Sequence, residues 1–245
     1  MWAFVAKKEA QCDRSDPQDD HKGDYWDHVA FDPQHRLVLD VVPGARTIEN
    51  TELLVANARR RTGGRLMNLM TSDSYPAYEA AIRHAYGEAV TPPRTGRPGR
   101  PKSSSRVVPA GLTYAVVEET RAKGRVIKVE TRVVFGTAAA VALALGMSGV
   151  SRAVNTAFLE RENGTARHRN SRKVRKSYRF SKDWRSHEAA TFFTMYSYNF
   201  CWAVRTLRIK EEQNHWQARS PAMAAGLSDH IWSMTEWLSY PIVRR

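Results

Sequence analysis

Apolar and polar positions alternate in two ways along this chain, and the order of the two patterns suggests a fold class. Trp2-Ala3-Phe4-Val5 is a short apolar run suited to a strand fragment, while residues 9–24 are polar and acidic, with Pro17 and Gly23, and read as a loop. Tyr25–Phe31 and Arg36–Val42 are β-rich runs joined by Asp32-Pro33-Gln34-His35, a hairpin signal. Thr47 is placed to cap a helix that runs to Arg59-Arg60-Arg61 and stops at Gly63-Gly64. Leu66–Thr71 reads as a buried strand ending at Ser72-Asp73, and Pro76–Tyr86 as a helix.

From Glu88 to Pro109 the composition turns to Pro, Gly, Ser and Arg, the signature of a flexible linker. Arg125–Phe135 alternates as a strand does, and an Ala-rich core helix follows it. A long basic helix is expected over Thr156–Lys176 and a strongly aromatic one over Trp184–Leu207. Ser220-Pro221 opens a C-terminal helix by the N-cap and Pro-at-N1 rule. Three strands, a helix, a strand with its helix, another strand and then helices suit an α/β domain, a mixed sheet flanked by helices. Residues 1–87 and 111–208 then form the two parts of the core. Residues 88–110 are a basic linker between them, and 209–245 a helical C-terminal extension.

The uncharged run Val133–Val150 is the one stretch that invites a membrane reading. Gly136, Gly146 and Gly149 interrupt it, and its helical part falls short of the roughly 20 apolar residues that a bilayer requires. No membrane partner is expected. Two cysteines far apart, Cys12 and Cys201, form no CxxC motif and suit a reduced, cytoplasmic protein.

Charge adds what the pattern of apolar residues does not. The chain carries a net +13, yet residues 1–35 hold eight acids against four Lys/Arg. From Arg161 to Lys182 there are nine Lys/Arg against one acid. Such asymmetry points to a scaffold with one basic face and a polyanion as its partner. Arg167, Arg169, Arg172, Lys173, Arg175 and Lys176 are the candidate polyanion contacts, with Asn163 sharing the helix face of Arg167.

Carboxylates in such a surface need a reason, because a phosphate repels them unless a cation lies between. Glu160 stands at the head of the basic stretch, and Asp73 lies just past a strand end, where ligands of open α/β sheets gather. Alone, each has a plain reading: Glu160 as a solvated helix residue, Asp73 as a turn former before Tyr75-Pro76. Together they could share divalent cations with oxygen ligands, as Mg²⁺ requires. Asp24, Asp27 and Asp32 read as loop or edge carboxylates.

Leu159-Glu160-Arg161-Glu162-Asn163, then Arg167, Arg169, Arg175-Lys176, Phe180-Ser181-Lys182 and His187, resemble the C-terminal catalytic segment of bacterial insertion-sequence transposases of the InsAB type. Thr71-Ser72-Asp73-Ser74-Tyr75-Pro76-Ala77-Tyr78 resembles their second-aspartate motif, and Trp2-Ala3-Phe4-Val5 the tail of their first-strand motif. The match spans residues 2–80 and 150–200, and the glutamate-to-histidine spacing matches without a gap. The resemblance implies a ribonuclease-H-like fold and a DDE mechanism. In that scheme two Mg²⁺ (or Mn²⁺) ions activate water or a 3′-hydroxyl for in-line attack on DNA. It assigns Asp73 and Glu160 as catalytic metal ligands, prefers Glu160 over Glu162, and implies element terminal repeats and target DNA as partners. A homo-oligomer and association with the nucleoid follow from the same resemblance.

The family's first aspartate stands immediately before the residues matching Met1-Trp2, and this chain starts after it. The expectation is therefore an N-terminally truncated copy whose carboxylate set is incomplete and which is inactive alone. A catalytically inactive DNA-binding fragment that competes at element ends is the alternative. Structured RNA would also attract a basic face, but simple RNA binding has no use for the pair Asp73 and Glu160. Within the linker, Arg94-Thr95-Gly96-Arg97-Pro98-Gly99-Arg100-Pro101-Lys102 resembles an AT-hook, with Arg97 and Arg100 as minor-groove contacts; a solvated charged linker is the plainer reading. Trp184, Trp202, Trp216, Trp232 and Trp237 could stack on bases, although helical cores use most such aromatics for packing.

Overall fold

The computed structural model describes residues 1–91, 104–174, 176–211 and 215–241. Its elements run β1 (Trp2–Val5), β2 (Gly23–Asp32), β3 (Leu37–Gly44), α1 (Ile48–Arg61), β4 (Met70–Asp73), α2 (Ala77–Tyr86), β5 (Glu88–Val90) and β6 (Ser105–Val107). Then come β7 (Tyr114–Ala122), β8 (Arg125–Phe135), α3 (Ala138–Met147), α4 (Ala157–Arg169), α5 (Trp184–Cys201), β9 (Ile209–Lys210), β10 (Trp216–Gln217), α6 (Pro221–Ala224) and α7 (Met234–Ser239). The fold is mixed α/β. The chain forms two compact units, a terminal one of Met1–Arg46 with Phe158–Arg245 and a central one of Thr47–Ala157, a division that cuts it differently from the expected boundaries.

In the terminal unit, β1, β2 and β3 form an antiparallel sheet. The β2–β3 turn is built as its sequence suggests: the Asp32 carboxylate accepts from the backbone N–H of Gln34 at 2.8 Å, and Arg36 takes a left-handed φ of 54°. A bulge opposite Ala30 and Phe31 skips Leu39. Beside it the Asn199 amide docks α5 onto β3, accepting from Val38 N–H at 2.9 Å and donating to Val38 C=O at 2.8 Å. Val29, Val38, Val41, Ala166, Met195 and Tyr198 make the core of this unit.

In the central unit, Thr47 caps α1 by accepting from Asn50 N–H, and Gly63 and Gly64 end it with positive φ. The sheet order is β4-β7-β8, with β4 parallel to β7 and β7 antiparallel to β8. Lys123 and Gly124 join β7 to β8 with φ of 48° and 76°, the two-residue turn with both central residues left-handed. The core packs α1 and α2 against this sheet through Val55, Ala81, Ile82, Tyr86, Leu112, Tyr114, Val116 and Phe135.

Several expectations are corrected. Among the described residues the strands divide between two three-stranded sheets and two short ladders. The strand expected from Leu66 begins at Met70 and is only half-buried, and β7 is not among the expected strands. The two ends of the Pro/Arg-rich linker pair as β5 and β6. The Ala-rich helix α3 buries only Val141 and so is not a core helix. The basic helix stops at Arg169, where the Asn170 side chain accepts from Arg172 N–H and starts a 3₁₀ turn over Ser171–Lys173. The aromatic helix stops at Cys201, and the C-terminal extension contains the β9–β10 ladder besides two short helices. Among the described residues no helix is long and apolar enough to cross a membrane.

Candidate nucleic-acid interface

The two faces of α4 have opposite fates. Leu159, Glu162, Ala166 and Arg169 recur at three- and four-residue spacing and face the interior: Leu159 and Ala166 join the core, and Glu162 is 4% exposed. Glu160 sits about 200° round the helix from Glu162 and is exposed. Asn163 and Arg167 are half-buried between these faces.

Asp73 is the last residue of β4, paired with Val117 at the C-terminal end of the parallel strand pair, and it is exposed. Its carboxylate accepts from Tyr75 N–H at 3.3 Å, the turn-forming role that its place before Tyr75-Pro76 suggests. Asp73 belongs to the central unit and Glu160 to the terminal one. Among the described residues no group of three His, Cys, Asp or Glu side chains is placed to hold a metal ion.

Of the expected DNA contacts, Arg97, Arg100 and Arg175 lie outside the described residues. Two others are turned inward. The Arg169 guanidinium donates to Thr194 C=O at 3.0 Å and to Ser197 Oγ at 3.2 Å, and it lies over the rings of Tyr198 and Trp202. Lys173, instead of facing a phosphate, is 3% exposed. Its ammonium donates to both oxygens of Asp27, at 2.7 and 2.9 Å, and to His187 Nε2 at 2.9 Å. Asp27, expected as an edge carboxylate, is thus a buried counter-ion in β2. Arg172 is half-buried, while Arg161, Lys176, Arg179, Lys182 and Arg185 stand exposed, and Tyr178 among them is 96% exposed.

The Lys173 contact fixes the chemistry of His187. An ammonium can only donate, so Nε2 is the acceptor and Nδ1–H donates to Ser181 Oγ at 3.0 Å. Burial and the neighbouring Lys173 charge push His187 down to about 4, so the ring is neutral at physiological pH. Burial also lowers Lys173, against the pull of Asp27. Ser181 is fully buried, and its C=O accepts from Ala6 N–H at 2.7 Å, which ties the network to the edge of the sheet. With no exposed nucleophile, this chain of side chains is an anchor for the basic segment.

Glu162 is the residue that the transposase resemblance passes over. Burial pushes its carboxyl up to about 7, against hydrogen bonding from the Tyr198 hydroxyl and the nearby Arg169 charge. Its Oε1 has no hydrogen-bond partner among the described residues, and neither has Asn163 Oδ1. The signal is present in the sequence: Leu159 and Ala166 flank Glu162 at core spacing. Asp27, by contrast, carries no local mark of its partner 146 residues away.

Comparison with protein-family models, with curated proteins and with solved structures finds no match to this chain.

Proposed function

We propose that the chain is a DNA-binding protein of the insertion-sequence transposase kind, gripping duplex DNA through the exposed cations between Arg161 and Arg185. One observation carries this reading. Lys173 and Arg169 are used internally, while Arg161, Lys176, Arg179, Lys182 and Arg185 stay at the surface of the same unit. A segment pinned from inside and cationic outside presents its charges at fixed spacing, as phosphate-positioning contacts do. The antiparallel sheet β1-β2-β3 supports the ribonuclease-H-like part of the reading, whereas the strand ending in Asp73 belongs to the other three-stranded sheet, parallel to β7.

On this reading the partners are element terminal repeats and target DNA, the reaction class is strand cleavage and transfer, and Asp73 and Glu160 are the carboxylates assigned to Mg²⁺ or Mn²⁺. A non-catalytic binder that competes at element ends is the form of the proposal that needs only the terminal unit. The test is anisotropy titration of a labelled duplex at several salt concentrations. Binding should weaken with salt, and each charge reversal among Lys176→Glu, Arg179→Glu and Lys182→Glu should flatten the log–log slope by about 0.9. Salt-insensitive binding, or none, overturns the proposal. Mg²⁺-dependent nicking that Asp73→Asn and Glu160→Gln both abolish would separate transposase from competitor.

A further inference from the structure

The tryptophans that could stack on bases have different fates, and one of them stands apart. Trp184 lies against Tyr25 and His187, with ring centroids 4.4 and 5.7 Å away. Trp232 and Trp237 pack on Phe200 at 4.7 and 5.5 Å. Trp202 has Arg169 over its ring. Trp216, on β10, is 47% exposed and forms one wall of an open cleft of about 530 Å³. Arg161, Arg205, Thr206 and Arg208 line the rest of it. Arg161 comes from the first turns of α4, Arg205 and Thr206 from a 3₁₀ turn, and Arg208 from the residue before β9, so separate elements of the terminal unit converge here.

The chemistry of this cleft is specific. Among the described residues, three guanidiniums, a hydroxyl and an indole meet here with no carboxylate in the lining. The Arg208 guanidinium sits 4.2 Å from the Trp216 ring centroid and so covers one indole face. Glu211, on the same hairpin, is engaged by His215 at 3.2 Å. The volume falls within the roughly 300–1,000 Å³ of small-ligand sites. Guanidiniums match phosphate oxygens with paired N–H donors, and an indole stacks on any base face.

We propose that this cleft takes an unpaired nucleotide of a DNA strand, its base stacked on Trp216 and its phosphates held by Arg161, Arg205 and Arg208. A paired duplex keeps its base faces stacked internally, and opening them costs a few kcal/mol per step, so the cleft selects frayed or single-stranded DNA. The proposal deepens the DNA-binding reading and rests on it for the identity of the polyanion. Arg161 follows Glu160 directly, so a strand seated here begins one residue from the carboxylate that the DDE reading assigns.

The test uses the full chain with a fluorescein-labelled oligo-dT strand and, separately, a labelled duplex, read by anisotropy. Trp216→Ala should weaken oligo-dT binding about tenfold and leave duplex binding within about twofold, while Trp216→Phe, which keeps a stacking ring, should lose no more than about threefold. Arg205→Gln with Arg208→Gln should likewise weaken the single strand more than the duplex. Unchanged oligo-dT affinity in Trp216→Ala overturns the proposal. So does an equal loss on both probes, with a matching far-UV spectrum and melting curve showing the fold intact. If the duplex binds with the expected salt dependence but oligo-dT does not bind, the cleft proposal fails and the DNA-binding reading stands. If reversing Lys176, Arg179 and Lys182 leaves duplex affinity untouched while Trp216→Ala still releases oligo-dT, the cleft stands and the duplex reading fails.

Discussion

Two of the sets of polar side chains that the terminal unit buries are closed to different degrees. In the first, the Lys173 ammonium uses its hydrogens on both Asp27 oxygens and on His187, and His187 passes its own proton toward Ser181. In the second, Glu162 receives the Tyr198 hydroxyl but keeps Oε1 without a partner among the described residues, beside the equally unmatched Asn163 Oδ1. The difference shows in protonation. The closed set keeps a full ion pair in the interior because its charges and protons are matched, whereas the open set cannot support a full negative charge and drives Glu162 toward its neutral form. A chain with a net +13 thus spends one buried carboxylate on fixing its basic segment and leaves another poised to titrate.

Breaking the closed set should have the largest effect. Asp27→Ala strands the Lys173 ammonium in the interior and should cost about 3–5 kcal/mol in urea or thermal unfolding. Replacing both members, Asp27→Leu with Lys173→Met, removes the charges together and should recover most of that loss. A double variant as unstable as the single one would mean that packing around β2, and not the ion pair, carries the anchor.

The two sets also titrate with opposite sign, which pH can expose. His187 is held below its ordinary value of 6.5, at about 4, so the stability it supports is complete above pH 6.5 and is lost as pH falls toward 4. Glu162 is held above its ordinary 4.5, at about 7, so its contribution is complete below 4.5 and is lost as pH rises toward 7. Each amounts to about 3 kcal/mol across its window, and between pH 4.5 and 6.5 they oppose one another. The wild-type profile should therefore be nearly flat there. Glu162→Gln should leave the His187 slope alone, with stability rising as pH increases and a gain over wild type of up to about 3 kcal/mol at neutral pH. Identical profiles for the two proteins would remove Glu162 from the comparison.

The contrast between the sets also explains what can be read from the chain. Local chemistry is legible: the Thr47 cap, the Asp32 turn, the Ser220 cap and the glycine stop after α1 each depend on residues within a few positions of one another. The inward face of α4 is legible in principle, through Leu159 and Ala166. The strand β7 escapes notice because its apolar start, Tyr114–Val117, passes directly into Glu118-Glu119, and only the Lys123-Gly124 turn marks its pairing with β8. That Lys173 is a counter-ion and not a phosphate contact is beyond reach, since nine cations compete in that segment and nothing local selects one for Asp27. Convergence of Arg161, Arg208 and Trp216 on one cleft depends likewise on tertiary packing.

The finest test lies within the open set. The Tyr198 hydroxyl donates to Glu162 and favours its ionised form, opposing the burial that raises it; burial, with the same contact, pushes the tyrosine itself up. Tyr198→Phe keeps the ring over which Arg169 lies and removes only that donor. Stability should fall by about 1 kcal/mol at neutral pH. The Glu162 midpoint, followed by carboxyl NMR or by the pH dependence of unfolding, should move further above 7, by up to about one unit. A midpoint that stays put would mean that Arg169, and not Tyr198, restrains the carboxyl, and Arg169→Gln would then produce the rise instead. Either result separates hydrogen bonding from charge inside a cluster that burial alone would leave protonated.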